Sequence, residues 1–114
     1  MTIRDIYSLV QGEILCGEAY LDQVQDHAFA SDLMSDVLTI KIDNFLLITG
    51  LANIQSIRTA EMSDVKCVLL VRGKKATTDM IELARESGMV LMRTPFSMFK
   101  TSGILFAAGL SPVY

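Results

Sequence analysis

Apolar residues along this chain come in two alternating rhythms, short unbroken runs and stripes spaced three or four apart. The runs are "FLLIT", "KCVLLV" and "MVLMRT". Runs of four to six apolar residues without polar alternation, closed by glycine or proline, read as strands buried on both faces. The stripes fall between and after them. "NIQSIRTAEM" spaces Ile54 and Ile57 at helical intervals behind Asn53, a residue suited to an N-cap. "TTDMIELARES" follows Thr77 or Thr78 as cap and ends at Gly88. "SMFKTSGILFAAG" follows Ser97 and ends at Gly109. Three strands, each followed by a helix at short spacing, predict parallel right-handed units.

The first half reads less sharply. Thr2 caps a helix over "IRDIYSLV", with Ile3, Ile6, Tyr7 and Val10 on one face. "EILCG" is a short strand closed by Gly17, and "AYLDQVQDHAFA" holds a turn and a second strand ending near Phe29. "SDLMSDVLTI" reads as a helix capped by Ser31, with Asp32 at its positive end and Leu33, Val37 and Ile40 on one stripe. No linker or repeat divides the chain. The expectation is one α/β domain over residues 1–114, a three-layer αβα sandwich around a mainly parallel sheet of about five strands.

Composition adds one feature to this picture. Half of the residues (51%) are hydrophobic and mean hydropathy is +0.40. That is high for a domain of 114 residues, which has a large surface to cover. A further buried face, most simply a homodimer contact, would account for the excess, as would a sheet covered on both faces by helices. The final helix, with Ile104, Leu105, Phe106, Ala107 and Ala108 in a row, is the first candidate. A net charge of −3 argues against a nucleic-acid partner, which requires a basic face. No apolar run approaches the length of a membrane span, and no signal sequence opens the chain. Cys16 and Cys67 read as reduced, buried residues in a cytoplasmic protein. The six internal methionines (34, 62, 80, 89, 92 and 98) read as core filler.

Candidate chemistry centres on "CVLLVRGKKATT". A phosphate-binding loop needs a glycine five residues before the Gly-Lys-Ser/Thr, so that successive N–H groups face the phosphates. Val68 stands where that glycine belongs, and Lys75 where the hydroxyl belongs. The motif fails, and no nucleophile–base pair or metal cluster replaces it. Asp32 and Asp36, one turn apart, read as capping and solvent-facing groups, and His27 stands alone. In an open α/β sheet, ligands gather beyond the carboxyl ends of the strands, where helix N-termini favour anions. That rule selects Thr49, Gly50, Asn53, Arg72, Gly73, Lys74, Thr94 and Ser97 as a candidate nucleotide or small-anion site. No catalytic residue, cofactor or metal is assigned.

Read together, "SDLMSDVLTIKIDNFLLITG", "IRTAEMSDVKCVLLVRGKK" and "IELARESGMVLMRTPFSMF" resemble a DRTGG domain. The chain departs from the family's namesake positions. Leu51-Ala52 replaces Asp-Arg, Val71-Arg72-Gly73 replaces Thr-Gly-Gly, and Ser97-Met98-Phe99 replaces Asp-Thr-Phe. The resemblance implies a fold similar to the N-terminal domain of HPr kinase/phosphorylase, which lacks that enzyme's catalytic loop. It implies a regulatory or associative role, as in accessory domains beside CBS domains, with frequent dimerisation. A non-catalytic regulatory domain that senses a nucleotide or docks on a protein partner is therefore the leading expectation. The alternatives are a phosphoryl- or acyl-transfer enzyme using Arg72, Lys74 and Lys75, and a structural subunit of a hydrogenase-type redox complex, since stand-alone relatives sit among such genes.

Overall fold

Twelve short elements follow one another in the computed structural model, which describes residues 1–114. They are α1 (Ile3–Leu9), β1 (Glu13–Cys16), a 3₁₀ turn (Glu18–Tyr20), β2 (His27–Ala30), α2 (Met34–Val37), β3 (Leu46–Thr49), α3 (Ile54–Met62), β4 (Cys67–Leu70), α4 (Thr78–Glu86), β5 (Val90–Arg93), α5 (Met98–Ala107) and β6 (Ser111–Pro112). The strands form one sheet in the order β1-β5-β4-β3-β2-β6. All neighbours pair in parallel except β1, which runs antiparallel to β5 on one edge. The sheet is mainly parallel, as the sequence predicts, with six strands. The additional one is the two-residue β6, too short to leave a periodic signal.

The expected two-sided burial is present. Every residue of β3 and β4 is buried. Leu47, Val68, Leu70 and Leu91 pack with Ile57, Ala60, Met80 and Ala84, which belong to α3 and α4. Leu46, Ile48, Leu69 and Met92 pack on the opposite side with Ile3, Ile6 and Leu105, which belong to α1 and α5. The alternation of side chains along each strand thus feeds two cores of similar size. No helix is long and apolar enough to cross a membrane.

Local signals explain most helix boundaries. Thr2 and Asp5 make a reciprocal capping box at α1, and Asn53, Thr77 and Ser97 each accept the expected first-turn N–H. The region after β2 differs from expectation. Ser31 does not cap a helix there; α2 begins only at Met34 and its N-cap, Leu33, makes no side-chain bond. Leu33 and Met62 are exposed rather than in the core, and Tyr7 on α1 is half-exposed.

Both thiols are unpaired and buried. Desolvation pushes the pKa of Cys67, and less strongly that of Cys16, above the ordinary thiol value. Both side chains are expected to resist an aromatic disulfide reagent at pH 8 until denaturant is added. The neutral form is favoured in the folded state, so stability is full below the unfolded thiol pKa, about 8.5, and falls as pH rises above it. Thiol titration with and without denaturant, together with melts from pH 7 to 10, checks both.

Candidate functional site

The parallel strands β2 to β5 all end on one rim of the sheet, and the residues selected from sequence lie along it. They do not form one cluster. Asn53 caps α3 on one face of the sheet, whereas Ser97 caps α5 on the other. Thr49 and Gly50 belong to a closed network at the end of β3. There the Asp32 carboxylate accepts from the Thr49 hydroxyl at 3.0 Å and from the Gly50 N–H at 2.6 Å. The Thr49 oxygen in turn accepts from Leu51 N–H at 3.1 Å. Asp32 is exposed, as expected, but it does not cap a helix. The chain's own carboxylate occupies the donors that an anion would use there, and its negative charge opposes a second anion.

The turn after β4 answers the question raised by its Arg-Gly-Lys-Lys sequence. Arg72 and Gly73 both have positive φ, +57° and +62°, and Lys74 N–H returns to Val71 C=O at 3.3 Å, the geometry of a type I′ turn. Arg72 N–H donates to Phe96 C=O at 2.7 Å and Gly73 N–H to Thr94 C=O at 2.8 Å. Val71 N–H donates to Thr49 C=O at 3.1 Å. The amides from Val71 to Lys74 are thus all consumed, and the turn offers no cradle of free N–H groups.

Side chains supply what the backbone does not. A polar hollow of about 290 Å³ opens between this turn and the end of β5, lined by Gln11, Glu13, Gly73, Lys75, Arg93, Thr94 and Pro95. Of the residues selected from sequence, Gly73 and Thr94 line it, while Arg72 and Lys74 stand on the adjoining turn. Lys75 and Arg93 bring two positive charges. Arg93 is joined to Glu13 at 2.7 Å, across the antiparallel β1–β5 pair that sets Glu13 opposite Arg93. Such a partly exposed pair is worth at most about 1 kcal/mol, so Arg93 remains exchangeable toward a stronger anion. Thr94 lends its backbone only. Its hydroxyl donates to Val10 C=O at 2.6 Å and accepts from Phe96 N–H at 3.2 Å.

Sequence reasoning missed Gln11, Glu13 and Arg93. An arginine closing an otherwise apolar run, "MVLMR", was the available signal for the last. Nothing local marks the first two, which the antiparallel edge strand and the loop before it bring to the rim.

A second hollow lies away from the rim. It measures about 490 Å³ and is mostly apolar, between α5 and the segment Leu110–Tyr114, with Ala28, Ala30 and Ile48 of the sheet beside it. Phe99 and Phe106 on α5 are 90% and 67% exposed. The last helix is therefore not enclosed within the chain; only Thr101 and Leu105 on it are buried.

The model of the DRTGG domain family matches residues 5–108. No curated protein matches the chain in sequence. Among solved structures, the chain is similar to the CBS and DRTGG domains of the regulatory region of Clostridium perfringens pyrophosphatase, complexed with its activator diadenosine tetraphosphate. The TM-score is 0.73 at 16% identity, over 98% of this chain and 48% of that one. The chain thus spans about half the length of that regulatory region, and the likeness is one of fold.

Proposed function

Because the chain belongs to the DRTGG domain family, we propose that it is a non-catalytic regulatory domain. It takes up the phosphate groups of a nucleotide, or a small anion of the same kind, in the rim hollow between Gly73–Lys75 and Arg93–Pro95. It works as a homodimer in a reducing cytoplasm, with which two buried, unpaired thiols agree. The observation that carries the binding reading is the convergence of Lys75 and Arg93 on one hollow, at strand ends where α/β sheets bind ligands. Arg72 and Lys74 on the same turn extend the positive rim toward a longer polyphosphate. The activator of the Clostridium perfringens regulatory region, a dinucleoside polyphosphate, supports this ligand class.

The chemistry of the hollow also supports a binding rather than a catalytic role. Its one hydroxyl, on Thr94, is tied to Val10 C=O, and the sole imidazole, His27, lies on β2, three strands from β5. Acyl or phosphoryl transfer through Arg72, Lys74 and Lys75 would have cations for the phosphates, but the hollow's one carboxylate, on Glu13, is already paired with Arg93 rather than set against a nucleophile.

A thermal-shift panel of phosphate, acetyl phosphate, ATP, GTP and diadenosine tetraphosphate tests the binding reading. A ligand at about a hundred times its dissociation constant adds roughly 2.7 kcal/mol, a rise of several degrees for a domain of this size. Lys75→Ala is expected to weaken that ligand about tenfold, the loss of one charge-assisted contact, without lowering the melting temperature of the free protein. A flat panel, or a ligand indifferent to Lys75→Ala, would overturn the assignment of this hollow.

A further inference from the structure

Helix α5 carries a residue that the single chain has no use for. Gly103 sits inside the helix, where only proline is less favourable. A Cβ at this position would meet nothing within 4 Å, so neither neighbouring atoms nor a positive φ calls for glycine. Close approach by something outside the chain would call for it.

The surroundings indicate what that is. Phe99, Gly103 and Phe106 share one stripe of α5 at i, i+4 and i+7. The order Phe99-x-x-Ser102-Gly103-x-x-Phe106 runs large, small, small, large, and reads the same in size from either end. Such a pattern is self-complementary across a two-fold axis passing between residues 102 and 103. The hollow beside it has no charged lining residue, although each copy carries a net charge of −3. Copies that repel elsewhere meet at least cost on a neutral face. The one charge on α5, Lys100, is drawn over the Phe96 ring at 3.9 Å.

Resting on the homodimer part of the function given above, we propose that two copies of the chain meet through this face. The two α5 helices pack antiparallel, with Ser102 and Gly103 at their closest approach. Phe99 of each copy lies against Phe106 of the other, and the rings cover the apolar hollows on both sides of the axis.

Sedimentation of the full chain from 1 to 200 µM, combined with single substitutions, tests this. The 12.6 kDa chain is expected to double in mass. Phe106→Glu is expected to weaken association at least tenfold, with an unchanged circular dichroism spectrum and melt of the dilute protein, because the ring is exposed in the single chain. Gly103→Ala is expected to favour the helix of the dilute monomer while weakening association, an opposition that a purely structural glycine would not produce. Ser102→Cys lies beside the axis and is expected to give a disulfide-linked dimer under mild oxidation, whereas Glu82→Cys on α4 gives none. A dimer that ignores Phe106→Glu and forms no link through residue 102 would overturn this face and leave the homodimer standing. A monomer at every concentration would overturn both. An apolar dye binding a monomer and lost on Phe106→Glu would reassign the hollow to a small apolar ligand.

Discussion

Replacing Gly17 by alanine is expected to lower the unfolding free energy by about 3 kcal/mol, the sum of two costs of comparable size. Gly17 has φ +93°, and a residue with a Cβ loses roughly 1–2 kcal/mol in the left-handed region. The added Cβ would also lie 2.7 Å from both the Met89 carbonyl oxygen and the Val90 Cα. These are backbone atoms at the start of β5, so no side-chain rotation relieves the contact. Overpacking of this kind costs about 1–3 kcal/mol. The glycine lets the chain leave β1 while lying directly on its antiparallel partner. At roughly 4 °C per kcal/mol for a domain of this size, a thermal melt should fall by more than 10 °C. A drop of only a degree or two would mean that the β1 edge is loosely held. Gly73→Ala, where the added Cβ meets nothing within 4 Å, is the control carrying the φ cost alone.

Thr94→Val is expected to cost about 2–3 kcal/mol of stability, and to act on the fold rather than on ligand contacts. The two side chains are nearly isosteric, so packing is kept while the hydroxyl is lost. That hydroxyl is fully buried, donating to Val10 C=O and accepting from Phe96 N–H. Its removal leaves one carbonyl and one amide without partners, and each such loss costs about 1–3 kcal/mol when buried. The Val10 carbonyl closes α1, so the bond fastens the first helix to the end of β5. Urea unfolding of Thr94→Val and of Lys75→Ala, each with and without phosphate, separates the roles. Threonine should change the midpoint in both conditions equally, and lysine only the phosphate increment. A normal midpoint with lost ligand response in Thr94→Val would restore Thr94 as a binding side chain.

These two threonine bonds illustrate what the sequence conveys and what it withholds. Strands β3, β4 and β5 were legible because burial on both faces removes polar alternation, leaving "FLLIT", "KCVLLV" and "MVLMRT" as continuous runs. Helices α3, α4 and α5 were legible because Asn53, Thr77 and Ser97 bond to amides three residues away, a local relation that spacing encodes. Asp32 was misread for the opposite reason. It has the right position to serve a following helix, but its carboxylate finds stronger donors at Thr49 and Gly50 on the adjoining strand. No periodicity encodes a partner in a different strand. The candidate site suffered in the same way. Thr49 and Thr94 are polar residues at strand ends, and only the assembled sheet shows that their hydroxyls are already committed. Arg93 and Glu13 are eighty residues apart and meet only because β1 turns antiparallel. The family resemblance, resting on overall pattern rather than on the missing Asp-Arg and Thr-Gly-Gly positions, is carried by the match over residues 5–108.

The two margins of the sheet govern how copies of this chain add to one another. Strands β3 and β4 are wholly buried and, Thr49 apart, apolar, the kind of segment that stacks into fibrils when its edge is open. Neither margin invites that. On one side β1 has a register irregularity between Ile14 and Cys16 and a charged pair at its first residue. On the other, β6 is two residues long and one of them is Pro112, which has no amide hydrogen to offer a further strand. Growth by strand addition is thus disfavoured at both ends. A helix contact with two-fold symmetry uses itself up on forming, whereas a strand contact always leaves a fresh edge. The proline in the shortest strand therefore works against an endless ribbon of chains.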